Sequence, residues 1–230
     1  MKELEIPGPS PGDRACAIVR ALLSAIPYAG GAAVELFTAL IAPPLESRRQ
    51  EWMKNVGEIL QELQDSKGLS IDQLRDDKGF IDTVLHASNI ALRTSQDEKR
   101  HILLNAIVNT ALQHEPDESL RQIFLEIIDV STVWHLRILK LFQDPKKWAE
   151  TNKKPFPAWD THWPLYYVLE HAYPELSDKG PLYEYIWKDL ESMKLIEYAD
   201  FTDPKSSTEL FSKRTSYFGD QFLSFIEVPV

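Results

Sequence analysis

The sequence predicts an all-α protein: a multi-helix bundle, then a C-terminal winged-helix-like module with a short two-stranded hairpin. Three observations predict it. Apolar residues recur at one-face helical spacing over most of the chain. Capping residues and prolines punctuate those stretches. The helical period lapses only over residues 146–163 and in two short strand-like runs near the C-terminus.

Residues 1–12 carry Pro7, Gly8, Pro9, Pro11 and Gly12, so they are expected to form a flexible arm. Lys2 beside Glu3 and Glu5 lacks the positive balance of a secretory signal. From Ala15 to Pro43 the only charges are Arg20 and Glu35. Pro27, Gly30 and Gly31 cut this stretch in two, Asp13 is placed to cap the first piece, and Pro43–Pro44 is expected to stop the second. The result is an apolar helical hairpin over residues 15–43, within a bundle spanning 13–145. Each arm is shorter than the ~20 residues of a membrane-spanning helix.

A third helix is expected over about 45–64, with Trp52, Val56, Ile59, Leu60 and Leu63 on one face. Ser70 caps a short turn with Ile71 and Leu74. A fourth helix begins near Lys78, with Phe80, Ile81, Val84, Leu85 and Leu92 inward. Ser95 and Glu98 have capping-box spacing and start a fifth. Asp117 opens a sixth, in which Leu120, Ile123, Phe124, Ile127 and Ile128 match the full helical template. The seventh, after Ser131, is apolar nearly all round, which predicts a central place in the bundle.

Residues 146–163 hold Trp148, Trp159 and Trp163 among prolines and lysines without period, and mark a linker. Residues 164–230 then read helix, turn, helix, strand-like runs at Ile196–Phe201 and Glu209–Arg214, and a last helix from Tyr217. That order is the basis for the winged-helix-like module.

Charge and motif content narrow the chemistry. The formal charge is −10, with 25 basic against 35 acidic residues. Such a balance repels phosphate backbones, so nucleic acid is a disfavoured partner. From Ala158 to Val230 there are 6 basic and 13 acidic residues, a net −7, which opposes a DNA-reading module. Only Lys213 and Arg214, in the would-be wing, keep a basic character suited to nucleic acid. The lone Cys16 permits no internal disulfide, consistent with a reducing compartment.

No two-His helical metal motif, phosphate loop or nucleophile elbow occurs. No catalytic residue, cofactor, metal ligand or small-molecule substrate is therefore assigned. His86 and His135 read as satisfied helix residues. The apolar hairpin carries the sharpest functional expectation, a membrane-active face formed by Arg20, Tyr28, Gly30, Gly31, Val34, Glu35, Phe37 and Leu40. The plainer alternative buries it in the bundle.

Several segments carry a resemblance: 43–52 (PPLESRRQEW) after the apolar hairpin, 92–99 (LRTSQDEK), 134–137 (WHLR) and the closing 218–223 (FGDQFL). Their order resembles uncharacterised bacterial helical proteins related to the Abi-alpha group, associated with phage abortive infection. The resemblance implies a bacterial cytoplasmic setting and a defence role; the apolar hairpin adds a place peripheral to the inner membrane when triggered. The expected function is non-enzymatic, by interaction with another protein or with a second copy. A winged-helix transcriptional regulator and an enzyme with a spatially assembled site are the alternatives.

Overall fold

The computed structural model describes residues 31–113, 116–157 and 162–228. The described residues are helical and contain no sheet. The first arm of the expected hairpin, its turn and the Asp13 cap lie outside them. The chain divides into two units, Met1–Gly57 and Glu58–Val230.

The helix α1 (Gly31–Lys67) is 37 residues long and runs through Pro43 and Pro44, where the sequence predicted a stop. The φ that proline fixes is itself helical, so a helix propagated from both sides accommodates it. The cost is two missing N–H donors, which leaves the carbonyls of Ala39 and Leu40 without helical partners, and the crowding of each ring against the same carbonyl. Both prolines are exposed, so water reaches this stretch. Trp52, Val56 and Leu63 are buried and share one face of α1.

In the second unit the order is α2 (Ile71–Asp76), α3 (Lys78–Arg93), α4 (Asp97–Ala111), α5 (Glu118–Val130), α6 (Val133–Gln143) and α7 (Pro145–Thr151). There follow α8 (Leu165–Ala172), a 3-10 turn (Pro174–Leu176), α9 (Gly180–Ser192), α10 (Ser207–Leu210) and α11 (Tyr217–Ile226). Several starts follow from local chemistry. Ser70, Asp77, Asp117 and Ser216 each accept a hydrogen bond from a first-turn amide, which satisfies orphan donors.

The Ser95–Glu98 capping box does not form. Gln96 is the N-cap of α4 and makes no side-chain cap bond. Glu98 instead accepts a forked pair of bonds from Arg137, at 3.1 and 2.6 Å. A bidentate guanidinium pair outweighs a neutral cap bond, so tertiary context takes the carboxylate.

Helix α6 packs against α7, α8, α9 and α11, and α4 packs against α3 and α11. The central position of α6 explains why Ile138, Leu139, Leu141 and Phe142 are all fully buried. Phe142 meets Trp187 at 5.0 Å and Phe201 at 6.2 Å. On α5, Phe124 meets Phe218, Phe222 and Phe225 of α11 at 5.1, 5.4 and 5.8 Å. Each such ring contributes roughly 1.5–3 kcal/mol by leaving water. The end of α11 is tied to α4: Asn109 Nδ2 donates to the Phe225 and Glu227 carbonyls at 2.8 and 2.9 Å.

The two-stranded wing predicted near the C-terminus is absent. Between those runs only an isolated antiparallel bridge forms, Ile196 with Thr215. A ladder needs both partners extended, but Ser207–Leu210 winds into the single turn of α10. A Ser206–Glu209 capping box holds that turn, with Glu209 Oε2 accepting from the Ser206 N–H at 3.1 Å. The Arg214 N–H is also diverted, donating to the Phe142 carbonyl of α6 at 2.8 Å. The module is helical, with irregular connections in place of a hairpin.

Candidate functional site

The N-terminal half of α1 combines apolar sequence with exposure. Residues 31–45 carry one charge, Glu35. Leu36 and Leu40 are each 63% exposed and Ile41 is 43% exposed. Leu36 and Leu40 are one turn apart, so they lie on the same flank. Large exposed apolar groups gathered on one element are informative in a way that single ones are not. Of the eight residues expected to form a membrane-active face, Glu35 and Leu40 are exposed on α1. Gly31, Val34 and Phe37 belong to the same helix. Arg20, Tyr28 and Gly30 lie outside the described residues. Among the described residues no helix is long and apolar enough to cross a membrane.

The basic pair of the expected wing is engaged within its own unit. Lys213 pairs with Asp220, and the Arg214 guanidinium donates to the Glu209 carbonyl. Burial pushes the Arg214 pKa down, partly offset by Glu209. These two side chains do not form an open basic face.

The second unit contains a cavity of about 550 Å³ beside α4, α6, α7 and α11. Its charged walls are mutually paired. Arg137 holds Glu98 and stacks over the Trp134 ring at 5.1 Å. Lys140 meets Glu227 at 2.7 Å. The hydrogen bonds that Arg137 donates to Glu98 raise the Arg137 pKa, and burial raises that of Tyr173, so each keeps its proton at neutral pH. Neither of these two groups is poised for proton transfer.

His135 is buried and bridges two helices. Its Nδ1 accepts from the Thr132 N–H at 3.2 Å, and the Thr132 hydroxyl lies 2.8 Å from the same nitrogen. Nε2 is therefore the protonated nitrogen, and it donates to Asp189 of α9 at 2.9 Å. Sequence reasoning identified His135 as a satisfied helix residue but could not supply Asp189, 54 positions away. Among the described residues no group of three or more His, Cys, Asp or Glu side chains is placed to hold a metal ion. No family model, curated protein or solved structure matches the chain.

Proposed function

We propose that this is a non-enzymatic interaction protein that docks through the apolar flank of α1, with a second copy of the chain as its first partner. The observation that carries this is the exposure of Leu36, Leu40 and Ile41 on a stretch with one charge. Ala32, Ala33, Ala39 and Ala42 lie among them in sequence, and small residues let two helices approach closely. The charge of the docking segment itself permits self-association. Residues 31–57 balance Glu35, Glu46 and Glu51 against Arg48, Arg49 and Lys54, so two copies of this segment do not repel. The whole chain, at −10, is repelled by anionic lipid. Following the resemblance, the setting we propose is the bacterial cytoplasm and the role phage defence.

Sedimentation velocity of the full chain from low to high micromolar concentration is the test. A dimer is expected, and Leu36→Asp/Leu40→Asp, with unchanged circular dichroism, is expected to remain monomeric. A monomer at every concentration defeats self-docking. Dye release from anionic phospholipid vesicles by the monomer, lost in the same variant, moves the function to the membrane.

A further inference from the structure

The cavity of about 550 Å³ beside α4, α6, α7 and α11 falls in the size range of small-molecule sites, roughly 300–1,000 Å³. Ile102, Leu136, Ile226 and Val228 give it an aliphatic lining. Trp148 and Tyr173 add an aromatic wall, their rings edge to face at 5.4 Å. Ile102, Trp148 and Tyr173 are only half-buried and Val228 is exposed, so this apolar surface can be reached. A flat apolar body suits such a lining.

Charge excludes one class of occupant. The four ionised side chains of the wall cancel in pairs, Glu98 with Arg137 and Lys140 with Glu227. A charged ligand meets no net counter-charge there and gains a partner only by breaking a pair. The occupant that fits is uncharged.

Unmet acceptors say what that occupant offers. Asn105 Nδ2 donates to the Ile226 carbonyl at 2.9 Å, which fixes the amide and leaves Oδ1 as an acceptor. Asn105 is half-buried, and its Oδ1 has no partner among the described residues yet is open to solvent. His101 Nδ1 lies 2.8 Å from the Asp97 carbonyl, an oxygen that can only accept. The proton is therefore on Nδ1, and Nε2 of the neutral ring is a second acceptor. Both residues line the cavity and lie one turn apart on α4, so their acceptors belong to one wall.

We propose that this cavity binds a small uncharged aromatic molecule carrying an O–H or N–H donor, of the phenol or indole class. Its ring lies against Trp148 and Tyr173, and its donor is received by Asn105 Oδ1, with His101 Nε2 beside it. The site lies within the second unit and is independent of the α1 docking face, so neither proposal needs the other.

The test is isothermal titration calorimetry of the full chain with 2-naphthol, at about pH 8 so that histidine is neutral. Saturable binding of one molecule per chain is expected. 2-Methoxynaphthalene keeps the rings and loses the donor, and is expected to bind about tenfold more weakly, the effect of one hydrogen bond. 2-Naphthoate, which brings a charge, is expected to bind more weakly than 2-naphthol. Asn105→Ala is expected to take 2-naphthol and its methyl ether equally well, and Ile102→Trp, which fills the cavity, to bind neither. Asn105 also holds the end of α11, so a measurement without substitution accompanies these. In amide NMR spectra of the wild-type chain, 2-naphthol is expected to shift the side-chain signals of Asn105 and Trp148. No saturable binding of 2-naphthol, equal binding of its methyl ether to the wild-type chain, or shifts that leave Asn105 and Trp148 unmoved would overturn the proposal.

Discussion

Residues 31–45 of α1 and the helix α6 carry a similar share of apolar residues, yet they fare oppositely. Leu36 and Leu40 on α1 are 63% exposed, while Ile138, Leu139, Leu141 and Phe142 on α6 are at 0%. The difference is one of neighbours. Helix α6 is covered by α7, α8, α9 and α11, so every direction in which it points an apolar group is met. Apolar composition creates the tendency to leave water, but only a facing element realises it.

The comparison can be broken first at Phe142. Phe142→Ala removes a ring at the centre of the aromatic contacts with Trp187 and Phe201, and should cost about 3–5 kcal/mol in chemical denaturation. A loss below about 1 kcal/mol would contradict the central role of α6.

Gly219 comes next. A Cβ there would meet the Leu195 carbonyl oxygen at 2.0 Å, backbone against helix start. Gly219→Ala must push α11 away from Leu195, whose carbonyl also accepts from the Ser216 N–H at 3.0 Å. Overpacking of this kind costs about 1–3 kcal/mol. A Tm equal to wild type would place α11 elsewhere.

A smaller effect sharpens the account of α6 from its charged edge. Burial lowers the His135 pKa below its ordinary 6.5, against the pull of Asp189, with Lys99 lowering it further. The unfolded chain then binds the proton more readily, so stability rises with pH across this window. Stability is full above about pH 6.5 and is lost as pH falls from there toward the folded pKa. In His135→Gln that part of the slope should vanish from denaturation midpoints measured between about pH 5 and 7.5. An unchanged slope would assign it to another group.

The smallest stability effect belongs to α1. Leu36→Asp/Leu40→Asp alters exposed positions and, at concentrations low enough to keep wild type monomeric, should change the unfolding free energy by no more than about 0.5 kcal/mol per site. A large loss would mean that these leucines are covered in the folded chain.

Legibility followed the range of the interactions. The buried Phe124, Ile127 and Ile128 of α5 (though not its exposed Ile123), the starts at Ser70 and Asp117, and the proline in the first turn of α9 are readable because their causes lie within a few residues. The Pro43–Pro44 stop was misread, since a proline's φ tolerates a helix that continues on both sides. The wing does not form because α10 rests on a Ser206–Glu209 box, whose Glu209 the sequence pattern places at the start of a strand-like run. The Ser95–Glu98 box was misread for the opposite reason: Arg137, 39 positions on, takes the carboxylate.

The candidate sites divide likewise. The apolar run on α1 stood in the sequence, although its exposure did not. The His135–Asp189 pair is invisible there, because the two residues lie 54 positions apart and belong to no motif.

By itself, then, the sequence determined the helical class, most helix starts and the acidic surface charge, because each depends on residue type and near neighbours. The tertiary structure alone decided which apolar face is covered and which carboxylate pairs with which cation. Those outcomes depend on groups brought together across the chain, and periodicity carries no information about them.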